Sequence, residues 1–272
     1  MPMVPDFLMV GERAARAGGA ALLDWVGRFR AREKGPRDLV TEADLASQEA
    51  VRREILGAFP QHDFVSEEGD GPVELGGEFC WVVDPLDGTT NYVHQIPHYA
   101  VSLALLQRGK PIVGVIFDPV SGECFTAVKG KGAWLNGQPI RTSGVTELSQ
   151  AVIAASFSAR VEFPSPEIDQ FVAAVKFTQG VRRTGSAALN LCYVACGRFD
   201  AFWALSTKAW DVAAGVLLVE EAGGAVTRLD GRVFSLEEPH PVATATQALQ
   251  LQCCEMLRRA VRVREASARE AK

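Results

Sequence analysis

The chain has 272 residues, 47% of them hydrophobic, and a formal net charge of −5. That is ample apolar material for the core of one large domain or two ordinary ones. The negative balance excludes a nucleic-acid scaffold, which needs a basic surplus, and the lack of any apolar run near about 20 residues excludes a helical membrane span.

The first residues carry no basic region ahead of a long apolar one, so no secretory signal is expected and the chain reads as cytoplasmic. Phe7, Val10, Ala14, Ala17, Ala21, Trp25 and Phe29 recur at spacings of three and four, which predicts one amphipathic helix over residues 7–29. The charged run from Arg30 to Arg37, with Gly35-Pro36, reads as a loop. A second helix is predicted from Asp44 to Ala58, with Thr41 as its N-cap, Leu45, Val51 and Ile55 on its core side, and Pro60 at its end.

The period then changes. Asp63 to Val65, Phe79 to Val83, Tyr99 to Leu106, Ile112 to Phe117 and Cys124 to Val128 read as strands separated by turn residues. Asn136-Gly137 is a strong hairpin signal. These runs predict two helices on an antiparallel sheet over residues 1–147. Residues 148–272 alternate instead, as a mixed α/β half would. Strands are expected at Ala151–Phe157, Asp200–Leu205, Ala225–Leu229 and Val242–Thr246. Helices are expected at Pro166–Phe177, Ser186–Cys196, Asp211–Ala222 (closed by Gly223-Gly224) and Ala248–Glu265, with Glu265–Lys272 fraying.

The cysteines, at 80, 124, 192, 196, 253 and 254, include no Cys-x-x-Cys pair and read as small core residues kept reduced. Cys192 and Cys196 share a helix face without a nearby histidine, and Pro97 interrupts the spacing of His94 and His98, so zinc is not indicated.

The sharpest feature is Asp84-Pro85-Leu86-Asp87-Gly88-Thr89-Thr90-Asn91, directly after a buried-looking strand. A strand end fixes Asp84, Pro85 stiffens the turn, and Asp87 can reach back toward the same point. Paired carboxylates repel unless a cation lies between them, and oxygen-only ligands suit magnesium. Free N–H groups at the following turn make a phosphate seat. Taken alone, the string reads equally as an Asp-rich turn capping a helix. Glu67-Glu68 alone reads as a solvated pair. Asp211, Asp38 and Asp44 alone read as helix or turn caps.

Together these segments resemble the inositol monophosphatase family of magnesium-dependent sugar and polyol phosphatases. The resemblance runs from Asp38-Leu39-Val40-Thr41-Glu42-Ala43-Asp44, through Ser66-Glu67-Glu68 and Asp84 to Asn91, to Gly185-Ser186-Ala187-Ala188-Leu189-Asn190. Trp210-Asp211-Val212-Ala213-Ala214-Gly215 and Glu221-Ala222-Gly223-Gly224 complete it. It implies a five-layer αβαβα sandwich, an antiparallel sheet in the first half and a mixed one in the second. The metal site would lie in a cleft between the halves, and the chain would form a homodimer.

By the same resemblance, Glu67, Asp84 and the Leu86 carbonyl would hold a first Mg²⁺, and Asp84, Asp87 and Asp211 a second. A third, weaker ion would sit near Glu67 and Asp44. Thr89 and Asp44 would orient the attacking water, making Thr89, Asp44 and Glu67 the catalytic set. Asp87, Gly88, Thr89, Gly185, Ser186, Ala187, Ala204 and Asp211 would meet the substrate, a small phosphorylated polyol or sugar such as inositol monophosphate. No nucleic acid or membrane partner is required. Ala204 stands seven residues before Asp211, where many relatives carry a glutamate that binds substrate hydroxyls. A methyl group cannot accept those bonds. Ser206, Thr207 and Lys208 remain as other contacts, and Arg182 and Arg183 read either as contacts or as a solvated strand end. Histidinol phosphate, fructose 1,6-bisphosphate and 3′-phosphoadenosine 5′-phosphate are the alternative substrates. Some bacterial relatives also associate with the transcription machinery, so a binding role is the reading of another class. Neither a Gly-x-Ser-x-Gly elbow nor a full P-loop string is present, in keeping with water as the nucleophile.

Overall fold

In a computed structural model, residues 4–35, 38–69, 74–158 and 160–270 are described. Two helices open the chain: α1 (Val4–Trp25) and α2 (Glu42–Ala58). Phe7, Val10 and Ala14 of α1 are buried, as their spacing predicts; further along, Leu22 is buried while Ala17, Ala21 and Trp25 are half-buried. The helix stops at Trp25 rather than continuing to Phe29, because Gly27 takes a left-handed φ of 73°. Phe29 still packs, its ring centroid 5.0 Å from that of Tyr92.

The charged run expected to be a loop is instead a hairpin of β1 (Ala31–Gly35) and β2 (Asp38–Thr41), paired antiparallel with Arg32 opposite Val40. Ala-Arg-Glu-Lys-Gly has no apolar alternation, so nothing local announced it; cross-strand pairing satisfies its backbone groups. Pro36 and Arg37 lie outside the described residues, as does the Asp38 side chain. Leu45 is also corrected: it is 51% exposed. The buried face of α2 carries Ala43, Asp44, Ser47, Ala50, Val51 and Ile55. Two polar side chains on the core side turn Leu45 outward.

A seven-stranded sheet follows, in the order β3-β4-β5-β6-β7-β8-β9. Its strands are β3 (Asp63–Ser66), β4 (Phe79–Asp87), β5 (Ala100–Gln107), β6 (Lys110–Asp118), β7 (Glu123–Val128), β8 (Gly132–Leu135) and β9 (Gln138–Pro139). All neighbours are antiparallel except β3 and β4, which run parallel with Ser66 opposite Val83. The short helix α3 (Thr89–Val93) leaves the end of β4. Asn136 and Gly137 both have positive φ, 49° and 77°, as a tight hairpin requires.

The second sheet has the order β11-β10-β12-β14-β13. It combines β10 (Val152–Ser156), β11 (Gly180–Arg182), β12 (Ala201–Ala204), β13 (Ala225–Thr227) and β14 (Val242–Thr244). β10 pairs parallel with β11 and β12, and β14 antiparallel with β12 and β13, so the sheet is mixed. β11 carries no distinctive pattern and was foreseen only as the solvated strand end at Arg182 and Arg183, one of the two readings of that pair. The remaining helices are α4 (Pro166–Phe177), α5 (Ala187–Ala195), α6 (Ala209–Glu221) and α7 (Gln247–Glu270). Ser165 caps α4 by accepting from Ile168 N, with Pro166 at its first position, as predicted. α7 continues past Glu265 to Glu270, where fraying was expected.

Three apolar cores separate five layers. The first joins α1 and α2 to one face of the large sheet through Trp81, Val83, Leu103 and Leu105. The second is the largest; α5 and α6 fill it between both sheets, with Phe125, Leu189, Leu217 and Phe202. The third packs the small sheet on α7 through Ile153, Trp203, Leu249 and Leu257. This is the expected αβαβα order. Burial between the two sheets explains the unbroken apolar run Val212–Val219 of α6 and the almost wholly apolar α5, where an amphipathic pattern would mark a surface helix.

Candidate metal and phosphate centre

The cleft lies where the ends of β4, β10 and β12 meet the N-termini of α3, α5 and α6. It encloses about 510 Å³. Its floor begins at Asp84, on β4, fully enclosed by its neighbours. The Leu86 amide donates to Asp84 Oδ1 at 3.0 Å, and the ladder between β4 and β5 breaks register between Asp84 and Asp87. That irregularity re-aims the chain so that both carboxylates reach the cleft. Ser47 Oγ donates to the Pro85 carbonyl at 2.8 Å, pinning the turn to α2.

Glu67 arrives through pairing rather than proximity in sequence. β3 lies parallel to β4, and the Glu67 amide extends the ladder by donating to the Val83 carbonyl at 3.1 Å. Asp211 arrives from the first turn of α6, where Lys208 N donates to Asp211 Oδ2 at 2.7 Å. Glu67, Asp84 and Asp211 each place an oxygen within 4.8 Å of the others.

Asp87 stands apart from that trio. The Ser186 hydroxyl and the Ala188 amide donate to its Oδ2, the latter at 2.8 Å, and the Ala187 amide donates to Oδ1 at 3.3 Å. Asp87 therefore caps α5 across the cleft; Oδ2 spends both lone pairs on Ser186 and Ala188, while Oδ1, with one donor, keeps a second. Asp44 caps α2: Thr41 N and Oγ1 donate to its Oδ2 at 2.8 and 2.6 Å. Its other oxygen lies 3.5 Å from Thr89 Oγ1, which also donates to the Leu86 carbonyl at 3.1 Å. Asp44, Asp87 and Asp211 are thus all helix caps; Asp87 and Asp211 line the cleft, where the capping and metal readings are compatible, whereas Asp44 is buried behind Thr89 and is not on the cleft wall.

The electrostatics match. Burial pushes Asp84 well above the usual carboxylate range, and Glu67, Asp87 and Asp211 push it further. Burial also raises Asp211 against the opposing Lys208 amide, with Asp87 and Glu67 adding to the rise. Burial lifts Asp87 to about 6 despite the bonds from Ser186, Ala188 and Ala187. Asp44 rises to about 6, again by burial, against the Thr41 bonds. A site where Asp44, Asp84, Asp87 and Asp211 resist ionisation is short of positive charge. Its donors are all oxygens, which suits a hard divalent cation.

Gly88, with φ of 101°, begins α3, and the first residues of that helix line the cleft. A Cβ on Gly88 would meet the His98 carbonyl at 3.1 Å. Gly185, with φ of 95°, lies against Asn91, whose Nδ2 donates to the His98 carbonyl at 2.7 Å and the Thr184 carbonyl at 2.9 Å. Gly185 and Ala187 line the cleft, whereas Ser186 is buried behind Asp87. Ala204 is 1% exposed within the central core and is not on the cleft wall. The wall there consists of Ser206 and Thr207.

Two parts of the site escaped the sequence reading: Ser47, which braces the β4 turn, and Ser156-Phe157, which extends the cleft at the end of β10. A signal for the latter exists. Parallel strands place ligands beyond their carboxyl ends, and β10 is parallel to β12. A second groove, about 780 Å³ between α4 and α7, has apolar walls such as Val172, Phe177 and Met256 and lies away from the acidic cluster.

The inositol monophosphatase family profile matches residues 6–262. The Nus factor SuhB of Pseudomonas aeruginosa is 41% identical over 252 residues, covering 89% of this chain and 93% of that protein. Inositol monophosphatase 3 of Solanum lycopersicum is 40% identical over 251 residues, covering 89% and 92%. Among solved structures, the inositol monophosphatase of Anabaena (Nostoc) superposes with a TM-score of 0.83 at 37% identity, covering 94% of this chain and 96% of that one. The IMPase of Thermotoga maritima superposes with a TM-score of 0.87 at 32% identity, covering 94% and 98%.

Proposed function

Because the chain belongs to the inositol monophosphatase family and is thereby a phosphoric monoester hydrolase, we propose that it uses Mg²⁺ and water to hydrolyse a small phosphorylated polyol or sugar. The observation that carries this is the convergence of Glu67, Asp84 and Asp211 within 4.8 Å in an open cleft. Glu67, Asp84 and the Leu86 carbonyl would hold one ion, and Asp84, Asp87 and Asp211 a second, with a third weak site near Glu67 and Asp44. When bound, the ions supply positive charge that neutralises the phosphoryl oxygens and acidifies the attacking water.

The protein's own groups do the rest. The amides of Gly88 and Thr89 seat the phosphate at the start of α3, and Gly185 and Ala187 close the opposite side. The Thr89 hydroxyl, between the Leu86 carbonyl and Asp44, holds the attacking water and passes its proton toward Asp44 Oδ1. Hydrolysis of a phosphomonoester is mainly a matter of in-line placement and charge stabilisation, which a rigid set of helix-capping carboxylates can provide.

The cysteines 80, 124, 192, 196, 253 and 254 are all free, which supports a reducing, cytoplasmic setting. Among the described residues no helix is long and apolar enough to cross a membrane. Family membership supports a homodimer. A second reading, a binding role beside catalysis, is favoured by the name Nus factor SuhB among relatives. The complete set of carboxylates counts against a purely non-catalytic role.

The test is phosphate release from myo-inositol 1-phosphate, glycerol 2-phosphate, histidinol phosphate, fructose 1,6-bisphosphate and 3′-phosphoadenosine 5′-phosphate. Strong preference for one compound names the substrate class. Silence across the panel would shift the weight to the binding role.

A further inference from the structure

The phosphate end of the cleft is crowded with carboxylates, but its outer wall has the opposite character. That wall is made by Ser156-Phe157 after β10, Arg183 after β11, and Ser206-Thr207 after β12. Arg183 is the one cationic side chain on the cleft lining among the described residues. Its guanidinium carbon sits 5.3 Å from the Phe157 ring centroid. Among the described residues it has no acidic partner within ion-pair distance, whereas Arg198, by contrast, is paired with Glu123. An exposed arginine stacked on a ring, with its donors unspent, is oriented before any ligand arrives.

The platform under it is fixed from behind. Phe157 meets Phe171 of α4 edge to face, centroids 5.5 Å apart. Glu167, buried on the same helix, accepts from Ser158 N at 2.8 Å and Ser158 Oγ at 3.0 Å. The Ser206 hydroxyl approaches the same carboxylate at 3.5 Å. α4 thereby holds both wall loops and turns its own carboxylate away from the cleft. The Thr207 hydroxyl is spent on the Pro239 carbonyl. Arg182, next along the chain, bends back to the Val181 carbonyl and does not line the cleft.

The wall therefore offers one cation and hydroxyl groups but no carboxylate. A neutral polyol gains most from a carboxylate that accepts from its hydroxyls. An anion gains most from a guanidinium fork. We propose that Arg183, held on the face of Phe157, receives a second anionic group on the alcohol part of the substrate. Preferred substrates are then phosphomonoesters that also carry a carboxylate or another phosphate. This rests on the phosphatase reading above and sharpens it.

The experiment compares two matched pairs at saturating Mg²⁺ and fixed ionic strength. Glycerol 2-phosphate is set against 2-phosphoglycerate, and fructose 1-phosphate against fructose 1,6-bisphosphate. The readout is the ratio of kcat/KM within each pair for the wild type, Arg183→Gln and Arg183→Lys, each variant checked for an unchanged melting temperature. A charge-assisted pair in a half-open cleft is expected to favour the more anionic member by about tenfold or more in at least one pair. The pair that shows it identifies the anion as carboxylate or phosphate. Arg183→Gln should bring that ratio close to one, and Arg183→Lys should keep part of it. A wild-type ratio near one in both pairs overturns the proposal. So does a ratio that survives Arg183→Gln, or a loss shared equally by both members, which would place Arg183 on the scissile phosphate. Wild-type silence on all four compounds would instead overturn the phosphatase reading and this one with it.

Discussion

Replacing Asp84 by asparagine keeps the shape of the side chain and removes its charge. The amide oxygen can still accept from the Leu86 N–H, as Oδ1 does at 3.0 Å. The charge is another matter. Asp84 is 2% exposed and its oxygen lies within 4.8 Å of oxygens from Glu67 and Asp211. At an effective dielectric near 20, each ionised pair at that separation costs about 3 kcal/mol. Proton uptake relieves part of this, so the metal-free variant should be more stable than the metal-free wild type by roughly 1–3 kcal/mol at pH 8. With Mg²⁺ the order reverses. At a hundredfold excess over its Kd an ion stabilises by about 2.7 kcal/mol, which for a chain of this size is a rise of roughly 5–10 °C in Tm. The variant should gain little of it. Turnover should fall by more than about a hundredfold, beyond the usual cost of losing a supporting group around a metal. The assay is thermal unfolding in EDTA and in Mg²⁺, beside phosphate release. A variant no more stable than wild type in EDTA, or one that gains the same Mg²⁺ shift, would refute the reasoning.

Ser186→Ala removes a buried hydroxyl that accepts from Leu189 N at 3.1 Å and donates to Asp87. Loss of a helix cap and of a bond to a buried carboxylate should cost about 2–4 kcal/mol in a urea titration; a change under about 0.5 kcal/mol would show the contact to be idle. Gly185→Ala puts a Cβ 2.7 Å from Asn91 Nδ2 at a φ of 95°. The left-handed strain alone costs about 1–2 kcal/mol, and displacement of Asn91 should lower kcat/KM by about tenfold or more, which steady-state kinetics would show. The pH dependence of metal-free stability has a definite sign. Asp44 and Asp87 are raised from 3.8 to about 6, so between those values the folded state holds more protons than the unfolded one. Stability in the absence of metal should therefore fall as pH rises from about 4 through about 6, and urea midpoints that climb over that range would contradict it.

Much of this architecture could be read without coordinates because its signals are local. Pro166 announces the start of α4, Asn136-Gly137 the hairpin between β8 and β9, and Gly223-Gly224 the end of α6. The string from Asp84 to Asn91 carries its own geometry, since a strand end, a proline and a left-handed glycine follow one another. What was hidden depends on register between distant segments. Glu67 reaches Asp84 only because Ser66 pairs with Val83. Phe157 and Arg183 meet because β10 and β11 are parallel neighbours. Leu45 misled for a related reason: hydrophobic periodicity assumes that apolar side chains face the core, and α2 instead buries Asp44 and Ser47, which bond Thr41 and the Pro85 carbonyl.

The most direct test of the whole account is a Mg²⁺ titration of turnover on protein first stripped with EDTA, using the best substrate of the panel. The account predicts negligible phosphate release without metal, restoration that saturates with added Mg²⁺, and no restoration for Asp84→Asn at the same concentrations. Turnover that persists in the stripped protein, or that returns equally in the variant, would contradict it.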